Sequence, residues 1–225
     1  MYYHDYHELK SLAEEWGVTL FGVGDVRDIL NTFELLPKDI SDGLVYGISM
    51  GIRLSGRIME SIKDGPTKLY YYHYRRVNIA LDQVAIMITN HIQRSNFNAL
   101  PIPSSQTIDW ENQRAHLSHK AIGVMAGIGW IGRNNLLVNR DHGSLVRYVT
   151  VLTDMPLKVD SPSKEDCGEC TECMKICPVG AIKESFNDYN RDLCLERLKW
   201  FSKKYHIGHY ICGICVKVCK GKKPL

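Results

Sequence analysis

The chain has 225 residues, 44% of them hydrophobic and 24% charged, and a formal net charge of +3. This is an ordinary globular composition, long enough for one sizeable core with a small appended domain and too apolar for a disordered chain. So small a charge excess argues against a dedicated nucleic-acid binder, which clusters its Lys and Arg.

The opening MYYHDYHELKSLAEEWG has no basic n-region or apolar h-region, and no later stretch reaches membrane-spanning length, so the chain reads as cytoplasmic. DYHELKSLAEEWG predicts a helix with Asp5 as cap and Gly17 just past its end. VTLFGVGDV reads as a short buried strand and GLVYGISMGIRL as a second, with glycines in the second where a ligand or another backbone approaches closely. The longest helical signal starts at Pro66 and carries Val77, Leu81, Val84, Ile88 and Ile92 on one face. FNALPIPSS is extended, with prolines that suit an edge or a loop. SHKAIGVMAG predicts a helix capped by Ser118, and NNLLVNRDHGSLVRYVTVLTDMPL two strands joined by a turn at Asp141-His142-Gly143. LKVDSPSKED is a polar linker. The reading is therefore an α+β domain over 1–156 and a small unit over 157–225, too poor in apolar runs to fold without metal.

All eight cysteines lie between Cys167 and Cys219. In a reducing compartment such a group holds metal far more often than disulfides. Cys167, Cys170, Cys173 and Cys177 form the run C-x2-C-x2-C-x3-C-P, the bacterial ferredoxin pattern for [4Fe–4S] clusters. Two intervening residues let a tight loop wrap three thiolates around a cubane, while the fourth cysteine starts a helix facing away and serves another cluster. Cys194, Cys212, Cys215 and Cys219 supply a second set. If the crossed pattern holds, one cluster takes Cys167, Cys170, Cys173 and Cys219, and the other Cys177, Cys194, Cys212 and Cys215. Two structural zinc sites are the competing reading, since paired C-x-x-C motifs also bind zinc.

AGIGWIGRN contains Gly127, Gly129 and Gly132 in the order G-x-G-x-x-G. A dinucleotide turn needs a strand before the first glycine and a helix after the last. Here a helical segment precedes and a strand-like segment follows, so the Rossmann reading fails. The glycines form either a turn that lets backbone approach a flat cofactor, with Trp130 stacking and Arg133 meeting carbonyl or phosphate oxygens, or a plain packing turn with Trp130 in the core.

SHKAIGVMAGIGWIGRNNLLV, TVLTDMPL, the four-cysteine run and CGICVKVC, taken in order, resemble the epoxyqueuosine reductase family and, more distantly, the reductive dehalogenases. The resemblance implies a nitroreductase-like, corrinoid-binding α+β domain followed by a ferredoxin-like module with two [4Fe–4S] clusters. It implies an oxidoreductase in which the clusters relay electrons from a ferredoxin or flavodoxin to a base-off cobalamin that reduces a substrate the sequence does not name. Gly127, Gly129, Trp130, Gly132, Arg133 and Asn134 would then lie beside the corrinoid. Asp109 stands nearest to the family's catalytic aspartate, displaced by a few residues, and Tyr72, in Tyr70-Tyr71-Tyr72-His73, is a second proton-donor candidate beside the plainer role of packing tyrosine. The sequence departs from the family at Cys219-Lys220, at His119-Lys120 and at Arg133. It ends at Leu225 without the repeat domain of the tRNA-modifying members, which makes tRNA a doubtful substrate. The alternative function is an electron-transfer or reactivation protein that reduces a corrinoid held by a partner.

Overall fold

The structure, a computed structural model, describes residues 2–222. In chain order the elements are α1 (Tyr2–Glu15), β1 (Leu20–Asp25), α2 (Arg27–Leu30), α3 (Lys38–Ser41), β2 (Tyr46–Arg53), α4 (Gly56–Glu60), α5 (Lys68–Arg94) and β3 (Ala99–Ile102). There follow α6 (His119–Met125), β4 (Trp130–Ile131), β5 (Leu137–Val138), β6 (Val146–Thr153), α7 (Glu172–Ile176), α8 (Arg191–Tyr205) and α9 (Ile214–Val218). The mixed α+β class is as expected. No helix among the described residues is long and apolar enough to cross a membrane.

The chain divides into two compact units that interleave in sequence. Unit 1 takes Met1–Ile52, Asn78–Ile128 and Arg147–Ser163; unit 2 takes Arg53–Val77, Gly129–Val146 and Lys164–Leu225. The sequence boundary after residue 156 thus lies inside the last segment of unit 1. Asp160 ties that segment down: its backbone N–H donates to the Val23 carbonyl at 2.7 Å. Its carboxylate accepts from the Val23 N–H at 3.0 Å and the Tyr6 hydroxyl at 2.9 Å. The first half of the polar linker is therefore bonded to unit 1.

Unit 1 is built on a four-stranded sheet in the order β1-β2-β6-β3. β1 runs antiparallel to β2 with Leu20 opposite Gly51, and β3 antiparallel to β6 with Ile102 opposite Thr150. Seven of the eight residues of β6 are buried, the pattern of an inner strand covered on both faces. β3, with Pro101, lies at an edge, where a residue without an N–H costs no ladder bond. Leu81, Val84, Ile88 and Ile92 of α5 are all buried, and each contributes about 1.5–3 kcal/mol by leaving water.

α6 lies against β1, and the strand glycines make that approach possible. A Cβ on Gly24 would sit 2.6 Å from the Met125 carbonyl carbon, and one on Gly22 would overlap the Ala126 carbonyl oxygen. In β2, where the sequence suggested a close approach, a Cβ on Gly47 would meet Val26 Cγ1 at 2.8 Å and Ile122 Cγ2 at 2.9 Å. Ser118 caps α6 as read, accepting from the Ala121 N–H at 3.3 Å. Two caps differ from expectation. α1 begins at Tyr2, so Asp5 sits inside its first turn. α5 begins at Lys68 with Thr67 Oγ1 accepting the Tyr70 N–H at 3.1 Å, so Pro66 precedes the helix.

In unit 2, β4 and β5 form a short antiparallel hairpin, with Trp130 opposite Val138 and Ile131 opposite Leu137. The two strands expected to flank the 141–143 turn are β5 and β6, but β5 pairs with β4, and β6 joins the sheet of unit 1. The short helices α7 and α9 pack against each other, and α4 packs against α9.

Candidate functional site

The cysteine segment repeats one local design. Cys170-x2-Cys173-x3-Cys177 and Cys212-x2-Cys215-x3-Cys219 have the same spacing. In each run the middle cysteine lies within a five-residue helix, α7 or α9, and the last is the residue that caps its C-terminus. Cys177 therefore ends a helix rather than starting one, as the sequence suggested, with Pro178 blocking further helical turns. Gly213, at φ +83, makes the entry to α9. A Cβ there would meet Ile62 Cδ1 at 2.5 Å and Tyr70 Cε1 at 2.8 Å.

All eight thiols are free, and their mutual electrostatics sort them. Burial pushes the Cys173 thiol up to about 11, and the sulfurs of Cys219, Cys167 and Cys170 push in the same direction. Burial also drives Cys212 to about 11, with Cys194 and Cys177 adding to it. It drives Cys215 well above its ordinary value, with Cys212, Cys194, Cys173 and Cys177 adding to it. Cys194 is raised by burial too, against the hydrogen bond from Tyr189. Two neighbourhoods emerge, Cys167/Cys170/Cys173/Cys219 and Cys177/Cys194/Cys212/Cys215, and Cys173 acts on Cys215 across them.

The second neighbourhood lines one pocket, walled by Pro178, Val179, Ala181, Ile182, Leu198 and Ile214, with Tyr189 and Arg197 at its polar edge. Among the described residues no three His, Cys, Asp or Glu side chains close on a point as ligands of a single ion. The thiols surround a hollow, the arrangement a multi-iron group needs. Desolvation raises the thiols of Cys194, Cys212 and Cys215, so ionising them together is costly without a cation, and the site suits a positively charged, thiophilic guest.

Hydrogen bonds brace both thiol sets. The Trp130 indole N–H donates to Cys167 Sγ at 3.4 Å, and the Tyr189 hydroxyl bonds Cys194. Arg133 donates to the carbonyls of Cys170 at 2.9 Å and Gly168 at 2.8 Å. The role of Tyr189 was missed in the sequence, where only its nearness to Cys194 marked it.

The glycines of the turn accommodate protein. Gly127, in unit 1, has φ +68 and closes α6; a Cβ there would sit 2.7 Å from the Ser161 carbonyl oxygen. In unit 2 a Cβ on Gly129 would overlap the Val138 carbonyl, and one on Gly132 would sit 2.5 Å from Val138 Cγ2 and 3.4 Å from Cys167 Sγ. Helix precedes and strand follows, the reverse of a dinucleotide turn. Trp130 is buried, and Asn134 is buried too, bonding Ser144 Oγ at 3.2 Å and the Leu136 N–H at 3.3 Å. The carbonyls that Arg133 meets are those of the cysteine loop.

The two proton-donor candidates stand elsewhere. Asp109, in unit 1, accepts the backbone and side-chain N–H groups of Asn112, both at 2.8 Å. Those bonds hold its carboxyl below the usual range, which favours the ionised form over a proton donor. Tyr72, in unit 2, is exposed, its ring tilted on that of Tyr71 at 5.2 Å. Nearby His73 accepts the Ser55 N–H at 3.0 Å, and burial lowers its pKa. In unit 1, His119 is held between Thr150 Oγ1 at 2.8 Å and the Pro103 carbonyl at 2.9 Å, and desolvation takes it down to about 4.

No protein-family model matches the chain. Over 111 residues it is 35% identical to the epoxyqueuosine reductase of Listeria monocytogenes, and over 114 residues 34% identical to that of Escherichia coli. Over 68 residues it is 46% identical to that of Yersinia pestis. All three relatives are named epoxyqueuosine reductase. The matched stretches cover 29%, 27% and 16% of those relatives and 46%, 51% and 30% of this chain. Among solved structures, a catabolic reductive dehalogenase superposes with a TM-score of 0.76 at 20% identity, over 97% of this chain and 32% of that one. Epoxyqueuosine reductase from Streptococcus thermophilus superposes with a TM-score of 0.68 at 20% identity, over 97% of this chain and 67% of that one. Another epoxyqueuosine reductase, solved with a tRNA stem loop, gives a TM-score of 0.63 at 19% identity, over 95% of this chain and 64% of that one. At this identity the superpositions establish a shared α+β fold.

Proposed function

We propose that unit 2 is a ferredoxin-like module holding two [4Fe–4S] clusters, one on Cys167, Cys170, Cys173 and Cys219 and one on Cys177, Cys194, Cys212 and Cys215. On this reading the chain is an iron–sulfur reductase. The observation that carries it is that Cys177, Cys194, Cys212 and Cys215, from three separate stretches of the chain, line a single apolar-walled pocket, the four that the crossed pattern puts on one cluster. When bound, the clusters would supply one-electron relay at low potential. The protein's own contribution is preorganisation. Arg133 pins the loop that carries Cys167 and Cys170 through two carbonyls, Trp130 and Tyr189 each donate to a thiol sulfur, and the apolar walls exclude water.

The acceptor we infer is a corrinoid, supported by the relatives, among which one reductive dehalogenase structure bears on B12-dependent dehalogenation. The side chains read from the sequence do not fit that cofactor. Trp130, Arg133 and Asn134 are engaged within unit 2, and the glycines face protein atoms. Asp109 is held in the form that cannot donate. No step through the corrinoid is assigned to these residues. The substrate and the family's tRNA therefore stand as the relatives' properties.

Anaerobic reconstitution with iron and sulfide, followed by addition of cobalamin, tests this reading. Two clusters require about eight irons per chain. A base-off cobalamin spectrum then supports the reductase, whereas clusters without cobalamin binding support the electron-transfer alternative. Colourless, zinc-loaded protein from oxygen-free preparations rejects both.

A further inference from the structure

The helix that supplies Cys194 also carries an outward stripe unlike a plain solvated face. α8 has five basic side chains, Arg191, Arg197, Lys199, Lys203 and Lys204, against two acidic ones, Asp192 and Glu196. Leu193, Arg197, Trp200 and Lys204 recur at the spacing of one helix face. Leu193 and Trp200 are 39% and 45% exposed. Trp200 lies between two cations, with Arg197 4.9 Å and Lys204 4.5 Å from its ring centroid. The adjoining face is inward: Phe201 is buried, Cys194 and Leu198 line the thiol pocket, and Arg197 sits at the border between the two faces.

Exposed Trp beside Arg and Lys is the composition of an interface anchor, because the ring offers area at low entropy cost while the cations select a partner. We propose that the outer face of α8, centred on Trp200, docks an acidic one-electron donor protein. This rests on the two-cluster reading above. Trp200 lies six residues from Cys194 on α8, about 9 Å of helical rise, so a donor seated on Trp200 is held on the same short helix that supplies a wall of the thiol pocket. One electron leaves the donor and enters the cluster on Cys177, Cys194, Cys212 and Cys215; no bond or proton moves. A basic, aromatic face also suits nucleic acid, but a phosphate backbone gains nothing from lying over a cluster ligand, whereas an electron donor does.

The test uses the full reconstituted chain and reduced flavodoxin as the acidic probe, with cluster bleaching followed by stopped flow. The triple substitution Lys199→Glu, Lys203→Glu, Lys204→Glu is expected to slow flavodoxin-driven reduction roughly tenfold at low ionic strength. Trp200→Ala is expected to slow it at all ionic strengths, and the wild-type rate to fall as salt rises. Reduction by dithionite, a small anion that needs no docking face, stays unchanged in Trp200→Ala and falls far less than the flavodoxin-driven rate in the charge variant. Normal cluster absorbance with unaltered flavodoxin rates overturns the docking face alone. Absent cluster absorbance in the wild-type chain overturns the cluster reading and the proposal with it. An RNA hairpin that loses binding to these variants while their flavodoxin rates hold assigns the face to nucleic acid, which also overturns the proposal.

Discussion

Replacing Trp130 by phenylalanine keeps a buried ring opposite Val138 in the β4–β5 hairpin but deletes the N–H that points at Cys167 Sγ, 3.4 Å away. A hydrogen bond to a charged acceptor is worth about 1.5–3 kcal/mol, and this long contact to sulfur belongs at the lower end. Only the difference between two oxidation states moves a potential. On the two-cluster reading the reduced cluster would carry one more negative charge, shared among its sulfurs, so the differential at one of four cysteines would be roughly 0.5–1 kcal/mol. With 59 mV per tenfold for one electron, that corresponds to about 20–40 mV. A donor stabilises the more negative state, so Trp130→Phe lowers the midpoint potential of the cluster on Cys167 and leaves the other in place. Tyr189→Phe is expected to lower the midpoint of the cluster proposed on Cys194 and to leave the first unchanged. An EPR-monitored redox titration of the reconstituted chain reads both midpoints at once. An unchanged or raised potential in Trp130→Phe, with cluster content intact, refutes the assigned role of the indole.

The crossed assignment of Cys177 and Cys219 is tested by pairing deletions. Cys170→Ala with Cys219→Ala removes two ligands of one cluster and is expected to retain about half the iron. Cys170→Ala with Cys177→Ala strikes both and is expected to lose nearly all, as elemental analysis would register. His119 gives the fold a pH dependence. Its folded pKa of about 4 lies below the unfolded value of 6.5, so its contribution is present above pH 6.5 and is lost as pH falls toward 4. The full shift would amount to about 3 kcal/mol; solvent reaches the ring, so about 1–2 kcal/mol is expected. Thermal melts of His119→Gln should have a shallower slope in that window, and an unchanged slope would exonerate the residue. Asp109→Asn is expected to change turnover by no more than about twofold, the range of an ordinary surface substitution. A loss of a thousandfold or more in steady-state assays would restore Asp109 as the proton donor.

What the amino-acid sequence determined by itself is whatever depends on spacing along the chain. The apolar face of α5, the Ser118 cap, the helix-then-strand order around Gly127, and the two equal cysteine runs are all local, because helical period, capping and loop wrapping act over a few residues. Tertiary structure decided what those elements meet. The partners of Trp130 and Arg133 lie 37, 37 and 35 residues downstream, in the cysteine loop, and no local pattern marks such pairs. Asp109 is an acid candidate only through its nearness to the position of the family's catalytic aspartate; the Asn112 bonds that lower its pKa depend on how its loop turns. The linker read as free because it is polar, yet Asp160 joins a strand and a helix more than a hundred residues earlier. Sequence spacing carries the cysteine inventory, and long-range hydrogen bonds and packing decide how each thiol is oriented and braced.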